Sequence, residues 1–331
     1  MDSLTLFGWA KELGFADAGI CSISEYALQR QTVMEQPQLK ERKQLRFDPR
    51  EDYPQAKSIA ALLWPYEGGG ETREREVFVD HYYEASNAAY HAAIALEKRM
   101  LDRGHFAKAN VSYPAKETAV RCGLGVIGKN SLLIHPQYGS RVIIILMLTD
   151  LVCEERAQER NGCVNCGCCV AACPVGAIDA HGEMHPEKCL RNYMMEGVVV
   201  PETLRTKMKN TLIGCDRCQR VCPMQKSAHA EEHEAFLLED FVTLDEAKYA
   251  GSVKRLAERI GRNAARPQRV RAQAALLCGN IGSDADLPVL KVWAESEFEA
   301  VREHAQWAIK QITERKESTQ GLTRSGLDQR P

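Results

Sequence analysis

No apolar run in this chain approaches the eighteen or so residues that a membrane-spanning helix needs, so no bilayer crossing is expected. A dominant charge is also lacking: 43 Lys and Arg stand against 45 Asp and Glu, a net charge of −2. That balance excludes wholesale coating of nucleic acid, while leaving room for a local basic patch. The start, Met1-Asp2-Ser3-Leu4, has no basic segment leading into an apolar stretch, so no secretory signal is expected. None of the nine histidines forms a His-Glu-x-x-His pair, the usual mark of a zinc protease. What remains is a globular composition, 44% hydrophobic and 27% charged over 331 residues, long enough for two or three domains.

Cysteine, in contrast, is plentiful. Thirteen cysteines without an export signal point to metal binding in a reducing cytoplasm. Eight of them form two runs and a link: Cys163-x2-Cys166-x2-Cys169-x3-Cys173-Pro174, then Cys189, then Cys215-x2-Cys218-x3-Cys222-Pro223. The first run has the spacing of two-cluster ferredoxins, in which the fourth cysteine serves the other [4Fe–4S] cluster. Two intervening residues let a loop wrap one face of a cubane. Three carry the chain round roughly one helical turn, and the following proline holds the last cysteine extended and ends the helix. The expected sets are therefore Cys163, Cys166, Cys169 and Cys222 on one cluster, and Cys173, Cys189, Cys215 and Cys218 on the other. Cys168 is the spare in its run. Zinc would call for two separate sites with finger-like pairs, which these proline-terminated runs fit poorly. Cys21, Cys122, Cys153 and Cys278 sit among apolar or small neighbours and read as buried structural thiols.

Around this module the chain divides into α/β and helical parts. Leu4–Leu13 reads as a helix ending at Gly14, and Ala16–Ile20 and Ser58–Trp64 read as strands. Residues 82–103 read as a long amphipathic helix, and Val142–Leu148 as a strand buried on both faces. Clusters set in short loops leave little room for an apolar core, so metal is expected to hold the module together. Further on, Val270–Ile281 and Val301–Ile312 align at one fixed offset, with Leu287–Trp293 as another helix between them. These resemble HEAT-type helical pairs. Too few to stand alone, they are expected to pack against the cluster module. The resulting domains are 1–155, 156–230 and 245–315, with a disordered tail over 316–331. The overall class is α+β.

Two further stretches carry chemistry. Gly123-Leu124-Gly125-Val126-Ile127-Gly128-Lys129-Asn130 supplies glycines that allow close backbone approach to a ligand, with two polar groups at the turn. Lys254, Arg255, Arg259, Arg262, Arg266 and Arg269 form a basic stretch containing one acid, Glu258. It reads either as a phosphate-binding face for RNA or as a solvated helix face.

Taken together, the chain resembles the epoxyqueuosine reductase family. The resemblance rests on Gly14–Ile20 (GFADAGI), Arg46-Phe47-Asp48-Pro49, Gly123–Ile134 (GLGVIGKNSLLI), the eight cysteines, Gly214–Pro223 (GCDRCQRVCP) and the helical tail. It implies a nitroreductase-like α/β domain holding a cobalamin, a ferredoxin-like module with two [4Fe–4S] clusters, and HEAT-like repeats that bind tRNA. The implied reaction removes the epoxide oxygen of epoxyqueuosine in tRNA. The implied cofactor contacts are Arg46, Gly128, Lys129, Asn130, Gly214 and Asp216, and the basic stretch would meet tRNA. An electron donor such as a flavodoxin or ferredoxin is implied, with a monomeric protein in the cytoplasm. The chain departs from the family pattern by being shorter, mostly before the clusters. It also lacks the family's aspartate proton donor: Val111-Ser112-Tyr113-Pro114-Ala115-Lys116-Glu117 contains no Asp, leaving Tyr113 or Glu117 as substitutes. The alternatives are a paralogous corrinoid-dependent reductase of a small molecule and a non-catalytic electron-transfer protein.

Overall fold

The structure, a computed structural model, describes residues 2–35, 46–68, 73–153, 162–225 and 235–325. A four-stranded antiparallel sheet organises the first part, in the order Asp17–Ser22, Ser58–Pro65, Val142–Thr149, Ala107–Ala109. The two central strands are apolar apart from Ser58 and Thr149 at their paired ends, because both faces are covered. Ala60, Leu62, Ile143, Ile145 and Met147 point into one core, against the helices Ser3–Glu12 and His81–Leu101. Ile59, Ala61, Leu63, Leu146 and Leu148 point into the other, with Ala119 and Cys122 at the helix Ala115–Arg121. The period-two alternation of a strand thus survives inside an unbroken apolar run.

Gly19, in the first strand, is required by close approach. A Cβ there would lie 2.3 Å from the carbonyl oxygen of Cys122. Cys21, Cys122 and Cys278 are buried as expected, whereas Cys153 is half-buried, with its sulfur 3.4 Å from Ser22 Oγ.

A third core joins the middle of the chain to its end. Leu190, Met194, Val200, Met208, Leu212 and Ile213 share it with residues from Tyr249 to Ile312. The cluster module therefore has an apolar anchor of its own, contrary to the expectation that metal alone would hold it. A small sheet adds a second tie: Thr211–Ile213 pairs in parallel with Glu76–Val79, which pairs with Phe236–Leu237.

The helices Glu246–Ile260, Pro267–Ile281, Leu287–Trp293 and Glu299–Ser325 complete the molecule. Aligned positions of the two repeats share burial: Val270 with Val301, Gln273 with His304, Ala274 with Ala305. The last helix runs to Ser325, past residue 316, where the sequence places the start of the tail. Its extension needs no apolar face. The charged run 314–317 consists of good helix formers, and Lys316 pairs with Asp284 at 2.7 Å. Residues 326–331 of the expected tail lie outside the described residues. Among those described, no helix is long and apolar enough to cross a membrane.

Candidate functional site

Two short helices carry the cysteine runs. Gly167, in the left-handed region at φ 77°, opens the helix Cys168–Ala172, and Cys173, extended before Pro174, closes it. Arg217–Arg220 is its counterpart in the second run, packed against it. This places the eight sulfurs in two groups. Cys163, Cys166, Cys169 and Cys222 line one small cavity, shared with Cys168, Lys129 and Asn130. Cys173, Cys189, Cys215 and Cys218 line a second, much larger one of about 480 Å³. The grouping is the crossed one: each run lends its last cysteine to the other's set. Cys168 faces the first group and is exposed, whereas Cys169 is buried. Burial pushes the Cys215 thiol up to about 11 and raises Cys218 and Cys169 as well. These thiols hold their protons in the metal-free chain, so cluster loading releases them. Setting aside the spare Cys168, four cysteine sulfurs at each cavity, with no histidine in either lining, are the donor set of a [4Fe–4S] cubane.

The larger cavity extends well beyond its four cysteines. Leu132, Val142, Ile144 and Ile178 give it apolar walls, and Lys116, Asn130, Arg191 and Gln219 supply polar groups. Its volume and lining are those of a cofactor pocket, which runs from about 300 to 1,000 Å³. Asn130 lines both cavities and is 5% exposed. Its Oδ1 accepts from Leu132 N at 3.2 Å, while its Nδ2 is buried without a hydrogen-bond partner among the described residues. That orphaned donor faces a site where a ligand acceptor fits. Gly128 forms the tight turn behind it, accepting from Ser131 N at 2.8 Å and donating to Leu132 O at 2.8 Å. A Cβ at Gly128 would meet Ile134 at 2.8 Å. Lys129 reaches past the first cysteine group and donates to Ala180 O at 3.2 Å.

Other expected cofactor contacts lie elsewhere. Gly214 packs against Asp80, where a Cβ would come within 2.3 Å, and has φ 88°. Its role is backbone geometry. Asp216 is buried between Arg220 at 3.0 Å and Arg141 at 3.6 Å, under a separate recess of about 530 Å³. Arg46 pairs with Asp52 at 2.8 Å, and Tyr113 donates to the other oxygen of Asp52 at 2.9 Å. All three line a recess of about 430 Å³ that has no cysteine in its lining. Burial and then the Asp52 carboxylate raise the Tyr113 phenol far above its ordinary value. Tyr113 is thus a poor acid, facing away from the sulfurs. From its segment, Ala115 and Lys116 enter the cysteine cavity instead of Tyr113 or Glu117. Lys116 stands in the same short stretch, but in sequence a lysine reads as a solvated cation and not as an acid. Arg191, two residues after Cys189, stacks over Tyr82 at 4.9 Å and carries no comparable sequence signal.

The basic stretch is largely engaged within the protein. Arg255 pairs with Asp240 at 2.8 Å, Arg259 pairs with Glu84, and Arg269 donates to the carbonyls of Asn263 and Ala264. Lys254 lies 4.0 Å from Glu258. Arg262 and Arg266 show no ion pair among the described residues.

The fold and the sulfur groups define an iron–sulfur protein with two [4Fe–4S] clusters. Residues 162–225 match the family described as a 4Fe-4S double cluster binding domain. The chain is also similar to proteins named epoxyqueuosine reductase. The one from Lactococcus garvieae is 31% identical over 200 residues, 59% of this chain and 57% of the relative. The chain thus spans little more than half the length of that curated relative. A crystal structure of selenomethionine-labelled epoxyqueuosine reductase superposes with a TM-score of 0.80 at 22% identity, covering 93% of this chain and 90% of the other. Another epoxyqueuosine reductase, solved with an epoxyqueuosine-modified tRNA-Tyr stem loop, gives 0.78 at 22% identity, covering 93% and 89%. These structures establish a shared α+β fold.

Proposed function

We propose that this protein is a cobalamin- and iron–sulfur-dependent reductase that removes the epoxide oxygen of epoxyqueuosine in tRNA. The observation that carries this reading is the joining of one cysteine group to a roomy, partly apolar cavity. Cys163, Cys166, Cys169 and Cys222 would hold the outer cluster, and Cys173, Cys189, Cys215 and Cys218 the cluster at the cavity wall. Electrons from a one-electron carrier such as a flavodoxin or ferredoxin would pass through both. A cobalamin in the cavity would supply low-valent cobalt for reductive C–O cleavage. The chain's own part is to orient and enclose. Asn130 offers its free amide N–H, the apolar walls exclude water, and Gly128 lets the backbone come close. The sheet domain is read as nitroreductase-like and the terminal helices as HEAT-like, in a cytoplasmic monomer. Arg262 and Arg266 are the members of the basic stretch available for phosphates.

The decisive experiment is complementation of a strain lacking its queuosine-forming reductase, with tRNA nucleosides analysed by mass spectrometry. Queuosine should be restored. Persistent epoxyqueuosine, with loaded protein present, rejects the assignment. The engagement of Arg255, Arg259 and Arg269 within the protein favours one competitor, a corrinoid reductase of a small molecule. That protein would take up cobalamin but bind tRNA weakly.

A further inference from the structure

The segment 111–117 contains no aspartate and its Glu117 does not line the cavity, but Lys116 does and can serve as the acid that the proposed reaction needs. The helix Ala115–Arg121 is fixed at its inner end by Ala119 and Cys122, both 0% exposed. Thr118 Oγ1 anchors the first turn by donating to Pro114 O at 2.9 Å, and Tyr26 holds the same hydroxyl at 2.5 Å. With that face buried, the opposite side of the first turn opens on the cavity. Lys116 projects from there and donates from Nζ to Ser131 O at 2.5 Å. Ser131 sits in the left-handed region at φ 57°, directly after Asn130. The Lys116 ammonium is thus tied to the backbone of the residue after Asn130, and both side chains line the cavity that Cys173, Cys189, Cys215 and Cys218 share.

We infer that Lys116 is the catalytic acid that protonates the departing epoxide oxygen. This rests on the reaction proposed above. Deoxygenation of an epoxide to an alkene consumes two electrons and two protons and releases one water. The clusters deliver the electrons singly and are refilled by the one-electron carrier. As the carbon–oxygen bonds break, Lys116 gives its proton to the oxygen, bulk water gives the second, and the neutral amine is reprotonated from solvent. The surroundings suit the role. Crowding by protein, followed by the nearby Arg191 guanidinium, lowers the Lys116 ammonium below its ordinary value. That moves it toward the range in which a general acid works at neutral pH. Tyr113, raised by burial and turned toward Asp52, moves the opposite way.

The test uses full-length protein with both clusters and cobalamin, chemically reduced, and a stem–loop RNA carrying epoxyqueuosine. Single-turnover loss of the epoxide is followed by mass spectrometry, and RNA affinity by fluorescence anisotropy. Lys116→Ala should slow the limiting rate at saturating RNA about a hundredfold or more, keep affinity within about twofold, and remove the alkaline limb of the pH–rate profile. Lys116→Arg keeps the charge but releases no proton in this range, and should be equally slow. Retention of the rate in either variant, or a loss confined to affinity, overturns the assignment. If wild-type protein leaves the epoxide intact, the substrate reading falls instead. Lys116 is then judged by competitive labelling with an amine reagent, which needs no substrate. Titration of Lys116 below Lys254, which lies outside the cavity, would keep it as the proton donor for whatever substrate the cavity reduces, and titration alongside Lys254 rejects it as an acid.

Discussion

At the scale of single residues, the two cysteines most distant from their partners in sequence carry the strongest consequences. Cys222 closes the first sulfur group from the second run, and Cys173 leaves the first run to join the second group. Cys222→Ser should therefore remove the outer cluster and leave the one at the cavity, halving the iron content. Cys168→Ser should leave the content unchanged, since the buried Cys169 supplies the ligand. Iron analysis with low-temperature EPR of reduced protein distinguishes the two; an unchanged spectrum in Cys222→Ser would sink the crossed arrangement. A different single residue contributes to the acid sensitivity. His304 is fully buried, accepts at Nε2 from Val200 N at 2.9 Å, and donates from Nδ1 to Ala272 O at 2.9 Å. Burial lowers its pKa to about 4 from 6.5. Because the unfolded chain takes up a proton below about 6.5 while the native imidazole does not, stability falls as pH drops from there toward 4. The loss reaches about 3 kcal/mol when the window is fully crossed. Thermal unfolding of wild type at pH 7 and pH 5 should differ by more than in His304→Asn; equal differences would assign the acid sensitivity elsewhere.

At the scale of elements, the strands and helices are legible wherever the apolar period is long, and hidden where packing decides. Val142–Leu148 announces a strand covered on both sides because seven apolar residues in succession suit nothing exposed. The helix Glu299–Ser325 outruns its expected end because helix formers continue a helix beyond its last buried residue. The side of Ala115–Arg121 that meets the cavity depends on Ala119 and Cys122 finding a strand about sixty residues upstream in sequence, so the place of Lys116 is not visible in its own segment. The packing of the same helix end against the first strand, Asp17–Ser22, yields a prediction. Gly19→Ala forces a methyl against the Cys122 carbonyl, where the neighbouring atom is backbone and has little room to move. The expected cost is about 1–3 kcal/mol, read as a lower midpoint in urea. Gly251, with nothing within 4 Å of an added Cβ, provides the control substitution. An undiminished midpoint in Gly19→Ala would mean that the strand and helix are less tightly apposed.

At the scale of the molecule, the cysteine spacing makes the electron-transfer centre readable because ligands to a cubane must come from short, local loops. The basic stretch is less readable, because its charges are answered from far along the chain. Arg259 meets Glu84 and Arg255 meets Asp240, pairings that no local inspection of 254–271 reveals. Such pairs at partly exposed sites add little stability, but they neutralise the field that would draw a phosphate backbone. Arg262 and Arg266 lie in the segment that connects two helices of the terminal region and have no ion pair among the described residues. If tRNA is the substrate, these two should carry much of the electrostatic attraction. Reversing both to Glu should weaken tRNA binding and reduce the slope of log affinity against log salt by roughly one for each phosphate that is no longer neutralised. Lys254→Glu, at a position already facing Glu258, should change the slope far less. An equal slope in all three proteins would show that RNA, if bound, is held by another surface, and would shift weight to a small-molecule substrate.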